Sequence, residues 1–116
     1  MTENNSLSNK AQKIFEEVES GQGVIVVPTI VLAELSYICE KKNIEDRFFA
    51  IIEKITESTN YMIYNLDLAT ILECRNIKKI PEMHDKIIVA TAKILNASII
   101  TKDEEITNSG YAKVIW

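Results

Sequence analysis

Two kinds of apolar spacing alternate along the chain, one with the period of a helix and one with the short continuous run of a buried strand. In "LSNKAQKIFEEVESG", Leu7, Ala11, Ile14, Phe15 and Val18 recur at helical spacing; Ser6 or Ser8 can cap the start, and Gly21 or Gly23 ends it. "VIVV" at 24–27 is β-branched throughout and is closed by Pro28, which reads as a buried strand. "TIVLAELSYICEKK" predicts a helix whose paired lysines suit a C-terminus. "NIEDRFFAIIEKITES" repeats the pattern, with Ile44, Phe48, Ile51, Ile52 and Ile55 on one face and Asn43 as the cap. "YMIYNL" is strand-like, and Asp67 opens a short helix in "DLATILECRNI". Beyond the loop around "KKIP", a helix starts at "MHD" and runs to about Asn96. "SIIT" at 98–101 and "AKVIW" at 112–116 predict two more strands, with a short helix or turn between them.

Strands that alternate with helices predict an α/β domain, its sheet parallel and covered by helices on both faces. A length of 116 residues supports one such domain with its own core. Residues 7–116 carry the periodicity; the polar "MTENNS" at 1–6 has none and is expected to be irregular or disordered. Apolar residues at 47% and charged ones at 26% are those of a globular protein. No apolar run approaches the ~20 residues of a membrane span and no leader opens the chain, so the expected location is the cytoplasm. Cys39 and Cys74 match no metal-ligand spacing and read as reduced packing residues. The net charge of −4 argues against a broad grip on phosphates. It leaves open an acidic pocket that recruits cations, because a bound metal reverses the local sign.

Three carboxylates stand in apolar company. Glu34 has Ile30, Val31, Tyr37 and Ile38 as its helical neighbours, so it is expected to be neutral, paired or bound to a cation. Asp85 falls in the first turn of its helix, one turn before Ile88 and Val89; the helix dipole alone can account for a charge there. Asp103 follows "IIT" at the carboxyl end of a strand, the edge where parallel sheets bind ligands, although Asp is also a common cap at such a turn. Together, hard oxygen donors without Cys or His partners suit Mg²⁺ or Mn²⁺ and fit zinc poorly. The single histidine excludes a multi-imidazole site, and the three glycines form no phosphate-binding loop. There is no nucleophile elbow for covalent hydrolysis. His84 can orient Asp85, contact a substrate or serve as an ordinary edge imidazole, while Tyr111 and Trp116 read as packing.

From about Leu7 to Trp116 the chain resembles PIN-domain proteins, specifically the VapC-type toxin ribonucleases. The resemblance rests on "VIVVPTIVLAELSYICEKK", on "MHDKIIVATAKILNASIITKDEEI" and on the closing "VIW". It implies a three-layer α/β/α fold with a parallel sheet, and acidic side chains at the sheet's carboxyl edge. There Mg²⁺ or Mn²⁺ would activate water to cut an RNA phosphodiester. Carried over by motif, Glu34, Asp85 and Asp103 match the family's metal-binding acids, and Thr101 matches a hydroxyl beside the site. Lys86 and Lys102 either steady the RNA backbone or are ordinary solvated lysines. Family members commonly form dimers and are held inactive by a cognate antitoxin.

The resemblance has one departure. The family begins with a strand ending in Asp, and this chain has "MTENNS" in that place. The expectation is a PIN-like domain that lacks the family's first, central strand and its first acid. It carries four strands, with edges near "VIVV" and "SIIT" that lead either to an altered sheet or to an oligomer. Weaker cation binding and a large loss of rate should follow. Two functions are carried forward: a metal-dependent endoribonuclease with activity reduced or lost, and a catalytically inactive PIN remnant that binds a partner or RNA.

Overall fold

Ser8 starts the first helix. In the computed structural model, which describes residues 7–116, its Oγ accepts the Ala11 N–H at 3.1 Å, and helix α1 spans Asn9–Glu19. The expectations for residues 1–6, Ser6 as a cap among them, lie outside the described residues. The chain leaves α1 through Gly21, whose φ of +93° is a conformation side-chain-bearing residues rarely adopt. Beyond this point contacts gather the chain into two compact units. One is Val18–Leu66, and the other joins Asp67–Trp116 with residues 7–17.

The Val18–Leu66 unit is built from β1 (Ile25–Pro28), α2 (Thr29–Lys41), α3 (Glu45–Glu57) and β2 (Tyr61–Tyr64). The strands pair in parallel, from Ile25 opposite Tyr61 to Pro28 opposite Tyr64. Pro28 ends the strand and occupies the N-cap position of α2, where a missing N–H costs nothing because the first helical N–H groups have no intrahelical acceptor. Thr29 Oγ1 accepts the Leu66 N–H at 3.1 Å, tying the start of α2 to the chain leaving β2. Cys39 on α2 and Ile55 on α3 are buried. β1 is less buried than its composition predicts. All four of its residues are only half-buried and Val24 is 57% exposed. The reason is topological: among the described residues β1 has one neighbour, β2, in a two-stranded sheet.

Asn43 does not cap α3 as expected. Its φ is +57°, in the left-handed region that Asn tolerates, and its N–H donates to Glu40 O while that of Ile44 donates to Cys39 O. It therefore closes α2. The N-cap position of α3 falls to Ile44, which has no polar side chain to offer.

In the second unit Asp67 caps α4 (Leu68–Glu73) as predicted, its Oδ1 accepting both Thr70 N–H at 2.9 Å and Thr70 Oγ1–H at 2.7 Å. One turn of 3₁₀ helix (Cys74–Asn76) extends it. Then come α5 (Met83–Leu95), β3 (Ile99–Ile100), α6 (Glu104–Ser109) and β4 (Val114–Ile115), with β3 and β4 parallel. Helix α5 buries Ile87, Val89, Ala90, Thr91 and Ala92. The Thr91 hydroxyl is satisfied by Ile87 O at 2.7 Å, so a polar side chain sits in the core without an orphan donor. Val89, Ala90 and Ala92 join Ile77, Ile80, Ile99 and Ile106 in one apolar cluster, with Ile88, Tyr111 and Val114 packed against it.

The predicted order of helices and strands is present, and among the described residues both strand pairings are parallel. Among the described residues the four strands form two separate pairs, the altered sheet expected from the sequence. Both cysteines are free; Cys39 is buried, and burial pushes the half-buried Cys74 thiol up from its ordinary pKa. No helix among the described residues is long and apolar enough to cross a membrane.

Candidate functional site

The loop from Ile77 to Glu82 delivers the chain to α5, and it is held at both ends. Ile77 and Ile80 are fully buried and act as its apolar anchors. Between them, the Tyr111 hydroxyl oxygen accepts the N–H groups of Lys78 at 2.9 Å and Lys79 at 3.1 Å. These two donors, Lys79 first, draw the Tyr111 pKa below its ordinary value. Lys93 lies 5.5 Å from the centre of the Tyr111 ring and pairs with Glu73 at 3.3 Å, which steadies the ring from α5.

At the start of α5 the cap is Glu82, a residue that sequence reasoning passed over. Its Oε1 accepts the Asp85 N–H at 2.8 Å, and its Oε2 lies 2.8 Å from His84 Nδ1, the geometry of a ring N–H donating to a carboxylate. The main-chain N–H of Asp85 first, and that of His84 after it, hold the Glu82 carboxyl below the usual carboxylate range. Glu is not among the preferred cap residues, so no propensity rule marks this one; the only signal is an acid directly after Pro81 and three residues before Asp85. With Glu82 at the cap position, Asp85 stands third in the helix and is half-buried, followed one turn later by half-buried Ile88 and buried Val89. Asp85 thus lies within the first turn as predicted, with its main-chain N–H held by Glu82.

Asp103 has the role its position at a strand-to-helix turn suggests. Its Oδ1 accepts the Ile106 N–H at 2.9 Å and caps α6. Thr101 stands beside it, with Oγ1 accepting the Asp103 N–H at 3.1 Å. These two predicted residues are brought together by the turn. Glu34 belongs to the other unit, half-buried on α2. Its helical neighbours are less enclosed than the apolar stripe implied, Tyr37 being 62% and Ile38 46% exposed. Lys86 is half-buried and Lys102 exposed.

The donors are carboxylates and a hydroxyl, hard oxygen ligands that fit Mg²⁺ or Mn²⁺. Among the described residues, no group of three or more His, Cys, Asp or Glu side chains is gathered so as to hold an ion. Mg²⁺ does not need such a cage; one or two carboxylates with water and substrate phosphate suffice. The residue chemistry therefore fits a hydrated, partly substrate-held cation.

A family model described as "PIN domain" matches residues 3–109. Among solved structures, the chain is similar to the crystal structure of VapBC2 from Rickettsia felis bound to a DNA fragment from their promoter. The TM-score is 0.72 at 16% identity, over 92% of this chain and 84% of that one, a likeness of fold. No curated protein matches.

Proposed function

This chain belongs to the PIN-domain family, and on that premise we propose that it is a divalent-metal-dependent endoribonuclease of the toxin–antitoxin type. PIN domains generally depend on a divalent metal. In this reading Mg²⁺ or Mn²⁺ is the cofactor, RNA the substrate and the cytoplasm the location. A cognate antitoxin and a second copy of the chain are its partners. The observation that carries the reading is the family match across residues 3–109. In this reading Glu34, Asp85 and Asp103 are the carboxylates for the cation, with Thr101 beside Asp103. When bound, the cation supplies Lewis acidity that activates water and offsets phosphoryl charge. Asp85 contributes a carboxylate in the first turn of α5, and Thr101 holds the main chain of Asp103.

The test is cleavage of RNA by purified protein in Mg²⁺ or Mn²⁺, beside Asp85→Asn and a chelated control. Cleavage by the wild type alone, abolished by the chelator, supports the reading; equal cleavage by both proteins overturns it. Elution from gel filtration as a clean monomer removes the homodimer.

A second reading has an observation in its favour. The lack of a three-ligand group among the described residues suits a PIN remnant that binds a partner or RNA and does not cut. A ligand that prefers the folded state raises its stability, so thermal melting against millimolar Mn²⁺ separates the two. An upward shift favours the nuclease, and no shift favours the binding module.

A further inference from the structure

We propose that the loop leading into α5 is a phosphate track for an RNA backbone, with Arg75, Lys78 and Lys79 as its contacts. The inference rests on the reading of the chain as a ribonuclease and adds where the strand is held. The chain as a whole is acidic, with 17 Asp and Glu against 13 Lys and Arg. Against that balance, residues 74–81, "CRNIKKIP", hold three cations and no acid. All three are exposed, and among the described residues none of them is in an ion pair. The acids on either side are engaged with other groups. Glu73 meets Asn76 Nδ2 at 3.4 Å with one carboxylate oxygen and Lys93 Nζ at 3.3 Å with the other. Glu82 holds the Asp85 N–H and lies against the His84 ring. The main chain beneath the lysine pair is fixed as well. Ile77 and Ile80 are fully buried on either side, and the Tyr111 hydroxyl accepts both lysine N–H groups. Besides those two donors, Lys79 first, the charges of Lys79 and Lys93 draw the Tyr111 pKa down, so a further lysine from α5 stands beside the loop. A backbone already ordered leaves less entropy to lose when phosphates bind. The loop also shares its compact unit with Asp85, Thr101 and Asp103, which favours RNA over an acidic peptide as the occupant.

The test reads binding, not cutting. A fluorescein-labelled single-stranded RNA of mixed sequence is titrated, in excess chelator and over a range of KCl, with the wild type, Lys78→Gln/Lys79→Gln and Lys41→Gln/Lys42→Gln. Fluorescence anisotropy follows the complex, and circular dichroism verifies folding. Each lysine on a phosphate of a single strand contributes about 0.7 to the slope of log affinity against log salt. The expected result is weaker binding by Lys78→Gln/Lys79→Gln, with a slope shallower by about 1.4. Lys41→Gln/Lys42→Gln, which loses the same charge from the end of α2, keeps the wild-type slope. Should the loop double variant fail to fold, Lys78→Gln and Lys79→Gln are measured singly, each expected to be shallower by about 0.7. An unchanged slope in the loop variant, an equal loss in both double variants, or no binding by the wild type at low salt overturns the proposal. So does displacement of the RNA by polyglutamate as readily as by unlabelled RNA, which would make the loop a seat for an acidic protein. Cleavage assayed separately in Mn²⁺ tells this proposal from the ribonuclease reading. A wild type that cuts while the loop variant keeps its slope loses the track alone. A wild type that binds through the loop without cutting loses the nuclease and keeps the track, as a module that binds RNA.

Discussion

Tyr111 and Lys78, 33 residues apart, are joined by a 2.9 Å hydrogen bond from a main-chain N–H to a phenol oxygen, and the neighbouring Lys79 N–H shares the same acceptor at 3.1 Å. The phenol does for this loop what a strand partner does in a sheet. It accepts from backbone donors that have no regular structure to satisfy them.

Replacing Tyr111 by Phe keeps the ring against the apolar cluster and under Lys93 but removes that acceptor. The expected outcome is faster hydrogen exchange at the Lys78 and Lys79 amides and a melting temperature lower by roughly 4–8 °C. Unchanged exchange at both amides would show that the phenol does not hold the loop.

Acidification should weaken the start of α5. The Asp85 N–H holds the folded-state pKa of Glu82 below its unfolded value. A depressed carboxylate contributes stability that is complete above the unfolded pKa, near 4.5, and is lost as pH falls through the folded one. Urea midpoints measured from pH 6 to pH 3 should therefore fall more in the wild type than in Glu82→Gln, which has no charge to lose. Parallel curves would remove the effect.

Ile80 and Leu68 make a matched contrast. Ile80 is fully buried in the cluster under α5, whereas Leu68 is 69% exposed. Ile80→Ala should cost about 2–5 kcal/mol, the transfer term plus an unfilled cavity. Leu68→Ala should stay within about 0.5 kcal/mol. Chemical denaturation of the two variants reads both values.

Asn96 ends α5 with a φ of +52°. A β-branched side chain is strained there, so Asn96→Val should lose about 1–2 kcal/mol, while Asn96→Gly stays near the wild type. Similar stability of the two would mean that the turn can be remade without the left-handed residue.

Much of this was legible because it is local. Asp67 before an apolar run announced its helix, and the Thr70 N–H and hydroxyl both meet it. Gly21 and the asparagine at 96 stand where helices must stop. Asn43 was misread because the same residue type serves a helix start and a left-handed helix end, and only the backbone angle distinguishes them. β1 was misread for a different reason. "VIVV" has the composition of a strand buried on both faces, but how many neighbours a strand finds is decided by distant chain. At the site, the positions of Asp85 and Asp103 in their helices could be read from spacing. Glu82 could not: it breaks the propensity rule for caps, and its value comes from reaching two groups at once.

The parallel pairing of Ile25 with Tyr61 and Pro28 with Tyr64 sets the order of events at the ribosome. Parallel strands need a crossover between them, so β1 emerges long before it has anything to pair with. Until Tyr64 has cleared the exit tunnel, the nascent "IVVP" segment presents bare backbone groups flanked by β-branched side chains, and α2 and α3 are the elements made between the two strands. A translational pause taken after β1 has left the tunnel and before Tyr64 has would lengthen that exposure, and slow synthesis at that stage should raise the insoluble fraction of the product.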